Sequence, residues 1–217
     1  MKGRSPATSD RGARTRRQIM DAATVAFAAK GYAATSVTGD VLQPAGVSVG
    51  SFYHQFPDKA ALFAAVVEEA AAAAQLVMDG LQAARGPELQ EGATDSWRLI
   101  LSMVDRFEPL FRIHMRERAN PDPEVAVPLA SVKATWARGI TLRHGRTETF
   151  PADYPTAAAV SLLGALGLGV MQTYLDLDPA EREGRRDELA EHLGRFTVGG
   201  LRALAPSEGR DDPDQAR

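Results

Sequence analysis

Apolar side chains recur at three- and four-residue intervals along nearly the whole chain, and glycine or proline ends each run before the next begins. Ile19, Ala22, Ala23, Ala26 and Phe27 have the spacing of one helical face. Gly31 follows them, a residue that takes the left-handed backbone of a helix stop at no steric cost. A short helix over 37–43 turns Val41 and Leu42 inward, and Pro44 ends it. Ala45-Gly46-Val47-Ser48 makes a turn, with Ser48 placed to cap a third short helix. Phe52 and Phe56, four apart, give that helix one apolar edge, and Pro57 stops it. Asp58 then caps a long helix over 58–84, with Leu62, Phe63, Val66, Val67, Ala70, Leu76, Val77 and Leu81 as its buried stripe. Beyond Arg85-Gly86-Pro87, helices are expected over 94–107, 109–118, 124–143, 155–175 and 180–204, with breaks at Pro109 and at Asn120-Pro121-Asp122-Pro123. No stretch alternates with the period of a strand, and no segment repeats. The expected fold is all-α, with a disordered tail over 205–217.

Composition removes several kinds of function. The chain has no cysteine, so a disulfide framework or a thiolate zinc site is impossible. His54, His114, His144 and His192 are isolated from one another and from carboxylate pairs at ligand spacing, so no metal site is expected. Gly164, Gly167 and Gly169 follow no strand and stand in the wrong order for a dinucleotide fingerprint. No nucleophile–base pair or acid couple stands out, so neither an enzyme nor a cofactor is expected. The N-terminus is polar, without the apolar core of a signal peptide, which fits a cytoplasmic protein. Residues 155–175 carry no charge over the length of a membrane span, yet alanine, glycine, Ser161, Gln172 and Thr173 dilute them. They are expected as a helix buried in protein, with no membrane.

Charge is distributed unevenly. Residues 1–60 hold eight Lys/Arg against four Asp/Glu, whereas the whole chain has a net charge of −3. In residues 1–17, Lys2, Arg4, Arg11, Arg14, Arg16 and Arg17 face a single acid, Asp10. Such asymmetry is a cue for a polyanion partner, and equally describes a solvated leader. Three short helices with a glycine turn before the third describe a helix-turn-helix, whose third helix is sized for the major groove. On it Val49, Gly50, Tyr53 and His54 lie together, opposite Phe52 and Phe56. The small residues Ser48, Gly50 and Ser51 let the backbone approach DNA, and Lys59 offers a charge to phosphate. A helical hairpin that binds nothing has the same spacing. The expected division is a flexible basic arm over 1–13, a helix-turn-helix domain over 14–57 and an effector-binding and dimerisation domain over 58–204.

The stretch from Thr15 to Leu62 also resembles the DNA-binding domain of the tetracycline-repressor (TetR) family. The resemblance rests on Ala22-Ala23, Phe27, Gly31-Tyr32, Thr35, Ala45-Gly46-Val47-Ser48, Gly50, Tyr53, Phe56, Lys59 and Leu62. It implies a homodimeric transcription regulator, usually a repressor, that a small molecule releases from a palindromic operator. The implied DNA contacts are Thr38, Ser48, Val49, Gly50, Ser51, Tyr53, His54 and Lys59. Position 49 is valine where the family often has lysine, and the chain is one residue longer between Gly31 and Gly46 than the common pattern.

Two further expectations concern the rest of the chain. Met103, Phe107, Phe111, His114, Trp136, Met171 and Tyr174 are candidates for the lining of a pocket for an apolar or amphipathic effector, or for ordinary core. Ala157, Ser161, Gly164 and Ala165, with Leu193 and Phe196, suit a close helix–helix contact. In the TetR family the last two long helices form the dimer's four-helix bundle; packing within one subunit is the alternative. A small-molecule-binding protein without DNA activity and an all-helical enzyme are the competing functions.

Overall fold

The computed structural model describes residues 6–83, 89–144 and 156–204. Every element among them is helical. In order they are α1 (Pro6–Ala34), a wide π-type segment (Val37–Leu42) running into the single turn α2 (Gln43–Ala45), α3 (Val49–Gln55), α4 (Lys59–Ala83), α5 (Leu89–Arg106), α6 (Glu108–Glu117), α7 (Pro123–His144), α8 (Thr156–Asp176) and α9 (Pro179–Leu204). They gather into two compact units, Met1–Val77 with Met103–Thr135 and Met78–Ser102 with Trp136–Arg217. The expected tail over 205–217, Arg85-Gly86-Pro87, Lys2 and Arg4 lie outside the described residues.

In the first unit, α1 starts at Pro6, inside the stretch expected as an arm. Proline's fixed φ suits the first helical position, and alanine and arginine carry the helix forward. Ile19, Ala23 and Phe27 form its buried face, against Val41, Leu42, Phe52, Phe56, Leu62, Phe63 and Val66. Phe63 packs edge-on to both Phe27 and Tyr32, at 5.2 and 5.0 Å between ring centroids. Gly31 does not end α1 outright. Its backbone breaks there (φ 81°, ψ 170°) and one more turn follows to Ala34.

The break is closed from α6. The buried Glu117 carboxylate accepts the Tyr32 N–H at 2.8 Å and the Asn120 side-chain amide at 2.6 Å. A Cβ at residue 31 would lie 2.7 Å from that carboxylate. Glycine is therefore needed twice, for its conformation and for its lack of bulk. The Tyr32 hydroxyl donates to Glu124, and burial together with that carboxylate pushes the phenol's pKa up.

In the second unit small residues allow helices to cross closely. A Cβ at Gly194 of α9 would come within 2.9 Å of the Thr94 backbone on α5. Nearby, the Trp97 indole N–H donates to the Thr197 hydroxyl at 2.9 Å. Ala159 and Leu201 bury the contact of α8 with α9, flanked by Leu163 and Leu204. The expectation that the uncharged helix is buried is not met within one chain. Only 22% of Ala157–Asp176 is buried, because α9 covers one side of a helix that is apolar nearly all round.

Candidate nucleic-acid interface

The reading helix is set by local chemistry at both ends. Gly46 takes the left-handed conformation (φ 64°, ψ 30°), and no atom lies within 4 Å of the place its Cβ would fill. Conformation alone thus demands glycine there. The Ser48 hydroxyl caps α3 by accepting the Ser51 N–H at 3.2 Å. Phe52 and Phe56 are buried on one edge, and the Asp58 carboxylate caps the next helix through the Ala61 N–H at 2.7 Å. Ser48, Val49, Gly50, Ser51, Tyr53 and His54 are all exposed, with Tyr53 64% and Val49 47% accessible. The Tyr53 ring leans edge-on against the buried Phe52, 5.2 Å between centroids, while most of its surface and much of Val49 face water.

Thr38 is exposed in the π-type segment, where its carbonyl accepts the Gln43 N–H five residues on. A wide turn of that kind accommodates an extra residue without breaking the helix. Ser36 caps the segment through the Gly39 N–H, and Asp40 accepts the Ser36 N–H at 2.8 Å. The Lys30 ammonium at 2.5 Å, then that backbone bond, hold the Asp40 carboxyl below its ordinary pKa.

Lys59 is half-buried. Its ammonium donates to the Ala33 carbonyl at 3.3 Å and sits 4.5 Å from the centre of the Tyr32 ring. Burial lowers its pKa, against the pull of Glu124 and Glu117. Arg16 was not singled out for this site by the sequence, yet it braces the end of α3. Its guanidinium donates to the Gln55 carbonyl at 3.2 Å and covers the Phe56 ring at 4.3 Å. The available signal was its place one turn before Ile19, on the buried face of α1.

The other candidates divide between the units. Met103, Phe107 and Phe111 are half-buried in the first, and His114 is buried there with Nδ1 lacking a hydrogen-bond partner. Burial first, then the charges of Lys133 and Arg118, bring the His114 pKa down to about 4. In the second unit Met171 and Tyr174 are buried and Trp136 is half-buried. Ala157, Ser161 and Ala165 are exposed, Gly164 is half-buried and Phe196 is 67% accessible, whereas Leu193 is buried in its own chain. Among the described residues no three His, Asp or Glu side chains come together as a set that could hold a metal ion.

Residues 19–66 match the family described as bacterial regulatory proteins, tetR family. Residues 19–66 thus form a DNA-binding domain of the tetR type. Members of the family are DNA-binding transcription regulators that act as dimers on operator DNA, not enzymes. No curated protein matches the chain in sequence. Among solved structures, the fatty acid degradation regulator FadR from Bacillus halodurans aligns with a TM-score of 0.68 at 16% identity, over 93% of this chain and 99% of that one. GusR of Salmonella enterica aligns at 0.67 with 24% identity, over 87% and 95%. The TetR family transcriptional regulator PfmR from Thermus thermophilus aligns at 0.65 with 19% identity, over 89% and 98%. At these identities the likeness speaks for the fold. The tetR match covers the helix-turn-helix, from the buried Ile19 to Val66.

Proposed function

We propose that this tetR-family regulator is a cytoplasmic repressor that binds a palindromic operator as a homodimer and leaves it when a small apolar or amphipathic effector binds. The observation that carries the reading is the α3 surface. Ser48, Val49, Gly50, Ser51, Tyr53 and His54 are exposed together on a helix anchored by Phe52 and Phe56. Small groups allow close approach to DNA, and hydroxyl, imidazole and phenol groups offer donors and acceptors to bases and phosphates. Thr38 and Lys59 are further proposed contacts, as is the domain division at 57/58.

The largely unburied α8, with Phe196 on α9, supports pairing with a second copy through Ala157, Ser161, Gly164 and Ala165. Met103, Phe107, Phe111 and His114 are the proposed effector contacts of the first unit; a buried imidazole without a partner at Nδ1 suits a ligand with one polar group. Recovery and sequencing of the genomic fragments the protein holds is the test. An inverted repeat should emerge, its half-sites one helical turn of about 34–36 Å apart or a multiple of it. Fragments with no shared motif would overturn the reading.

A further inference from the structure

A DNA-binding domain draws most of its affinity from cations that meet phosphates. Yet from Gly31 to Asp58, the entire stretch holding the turn and the reading helix, there is no lysine or arginine. The charge must come from elsewhere. Over residues 6–66 the cations are Arg11, Arg14, Arg16, Arg17, Lys30 and Lys59. Arg17 is paired with Asp21 at 2.7 Å and Glu69 at 3.0 Å, and Lys30 with Asp40. Arg16 is held on Gln55 and Phe56, and Lys59 on Ala33 and Tyr32. Arg11 and Arg14 remain, both exposed and without a side-chain partner among the described residues.

Their position is as telling as their freedom. Gly12, between them, lies against the last residue of the reading helix, since a Cβ there would stand 3.7 Å from the Gln55 amide nitrogen. Arg16, one turn on, donates to the carbonyl of the same Gln55. The first described turns of α1 are thus fixed beside the end of α3, and the two arginines, three residues apart, share one exposed face of those turns.

We propose that Arg11 and Arg14 are the phosphate clamp of this domain, gripping the backbone of double-stranded DNA beside the groove that α3 enters. The valine at position 49 then serves base contact while α1 supplies the charge. Neither arginine reads sequence, so the clamp acts equally on every duplex.

The inference rests on α3 entering DNA, and the test separates the two. Binding of the full chain to a mixed-sequence duplex about three helical turns long is followed by fluorescence anisotropy across a salt series. The Arg11→Gln/Arg14→Gln variant should lower the slope of log affinity against log salt by about 1 per arginine, so about 4 for a bound dimer. An Arg138→Gln/Arg185→Gln variant, with the same charge removed from exposed sites on α7 and α9, should keep the wild-type slope. A wild-type slope in the first variant, with its thermal unfolding unchanged, overturns the clamp and leaves the DNA-binding reading standing. An equal loss in the second variant also overturns it, because net charge would then explain the effect. Lys59→Gln taking the slope down as far as the α1 variant would move the clamp to α4. A wild-type chain with no salt-dependent affinity would sink the inference and the reading together.

Discussion

Gly50 stands on the exposed face of α3 with no atom within 4 Å of where a Cβ would be. The fold has no use for a glycine there, and a glycine inside a helix costs roughly 0.5–1 kcal/mol relative to alanine. Gly50→Ala should therefore raise the unfolding free energy by about that much. If the backbone at residue 50 must approach DNA closely, the same change should weaken operator binding. Opposite signs in a chemical melt and a binding titration are the expected result; unchanged binding would remove Gly50 from the interface. His114 has the reverse character, a group that burial works against. Its pKa is near 4 in the fold, against about 6.5 in an unfolded chain. As pH falls below 6.5 the unfolded chain gains a proton that the native one refuses, so stability drops until about pH 4 and then levels. Between pH 7 and pH 5 this amounts to about 2 kcal/mol. His114→Gln should lose that much less stability over the same interval in urea melts, and an identical loss in both proteins would count against it.

At the scale of elements, the end of α1 is joined to α6 by groups far apart in sequence. Gly31 opens the backbone, and Glu117 satisfies the Tyr32 N–H that the break leaves over, 85 residues away in the chain. A buried N–H without a partner costs about 1–3 kcal/mol, and a non-glycine residue at positive φ about 1–2 more. Gly31→Ala should incur both penalties, because its Cβ would displace the carboxylate that lies 2.7 Å away. We expect a fall of roughly 2–5 kcal/mol in unfolding free energy. A loss under about 1 kcal/mol would show that α6 yields easily. Gly46→Ala is the informative comparison, since that site has positive φ but open space.

For the whole molecule the open face of α8 matters most. Leu162 is 57% accessible on a helix with no charge between Thr156 and Leu175. Exposed apolar area of this kind supports the proposed pairing with a second copy. Leu162→Glu should convert a dimer, about twice 23.3 kDa, to a single chain in sedimentation, with the secondary structure retained. A dimer that survives the charge would place the interface elsewhere.

Much of this architecture is legible in the amino-acid order because it is local. Ser48, Gly46, Pro57 and Asp58 act on backbone groups within three or four residues, and the 3.6-residue spacing of Phe52 and Phe56 states which face turns inward. The helices and the exposed set on α3 follow from such short-range rules. What each charge does is not legible in the same way, because an ion pair or a carbonyl contact depends on which distant segments meet. Lys59 reads as a phosphate ligand in isolation, yet folding brings Ala33 and Tyr32 to it. Arg16 reads as one basic residue among several until Gln55 arrives from 39 positions away. The glycine at 31 announces a turn, but only packing against α6 explains why nothing larger fits. Interactions between near neighbours set the helices, their caps and the tetR-like domain, and those interactions are written in the order of the residues. Which cations are spent, which histidine is buried and which apolar face remains open are settled by packing, because those outcomes depend on contacts that exist only once the chain has closed on itself.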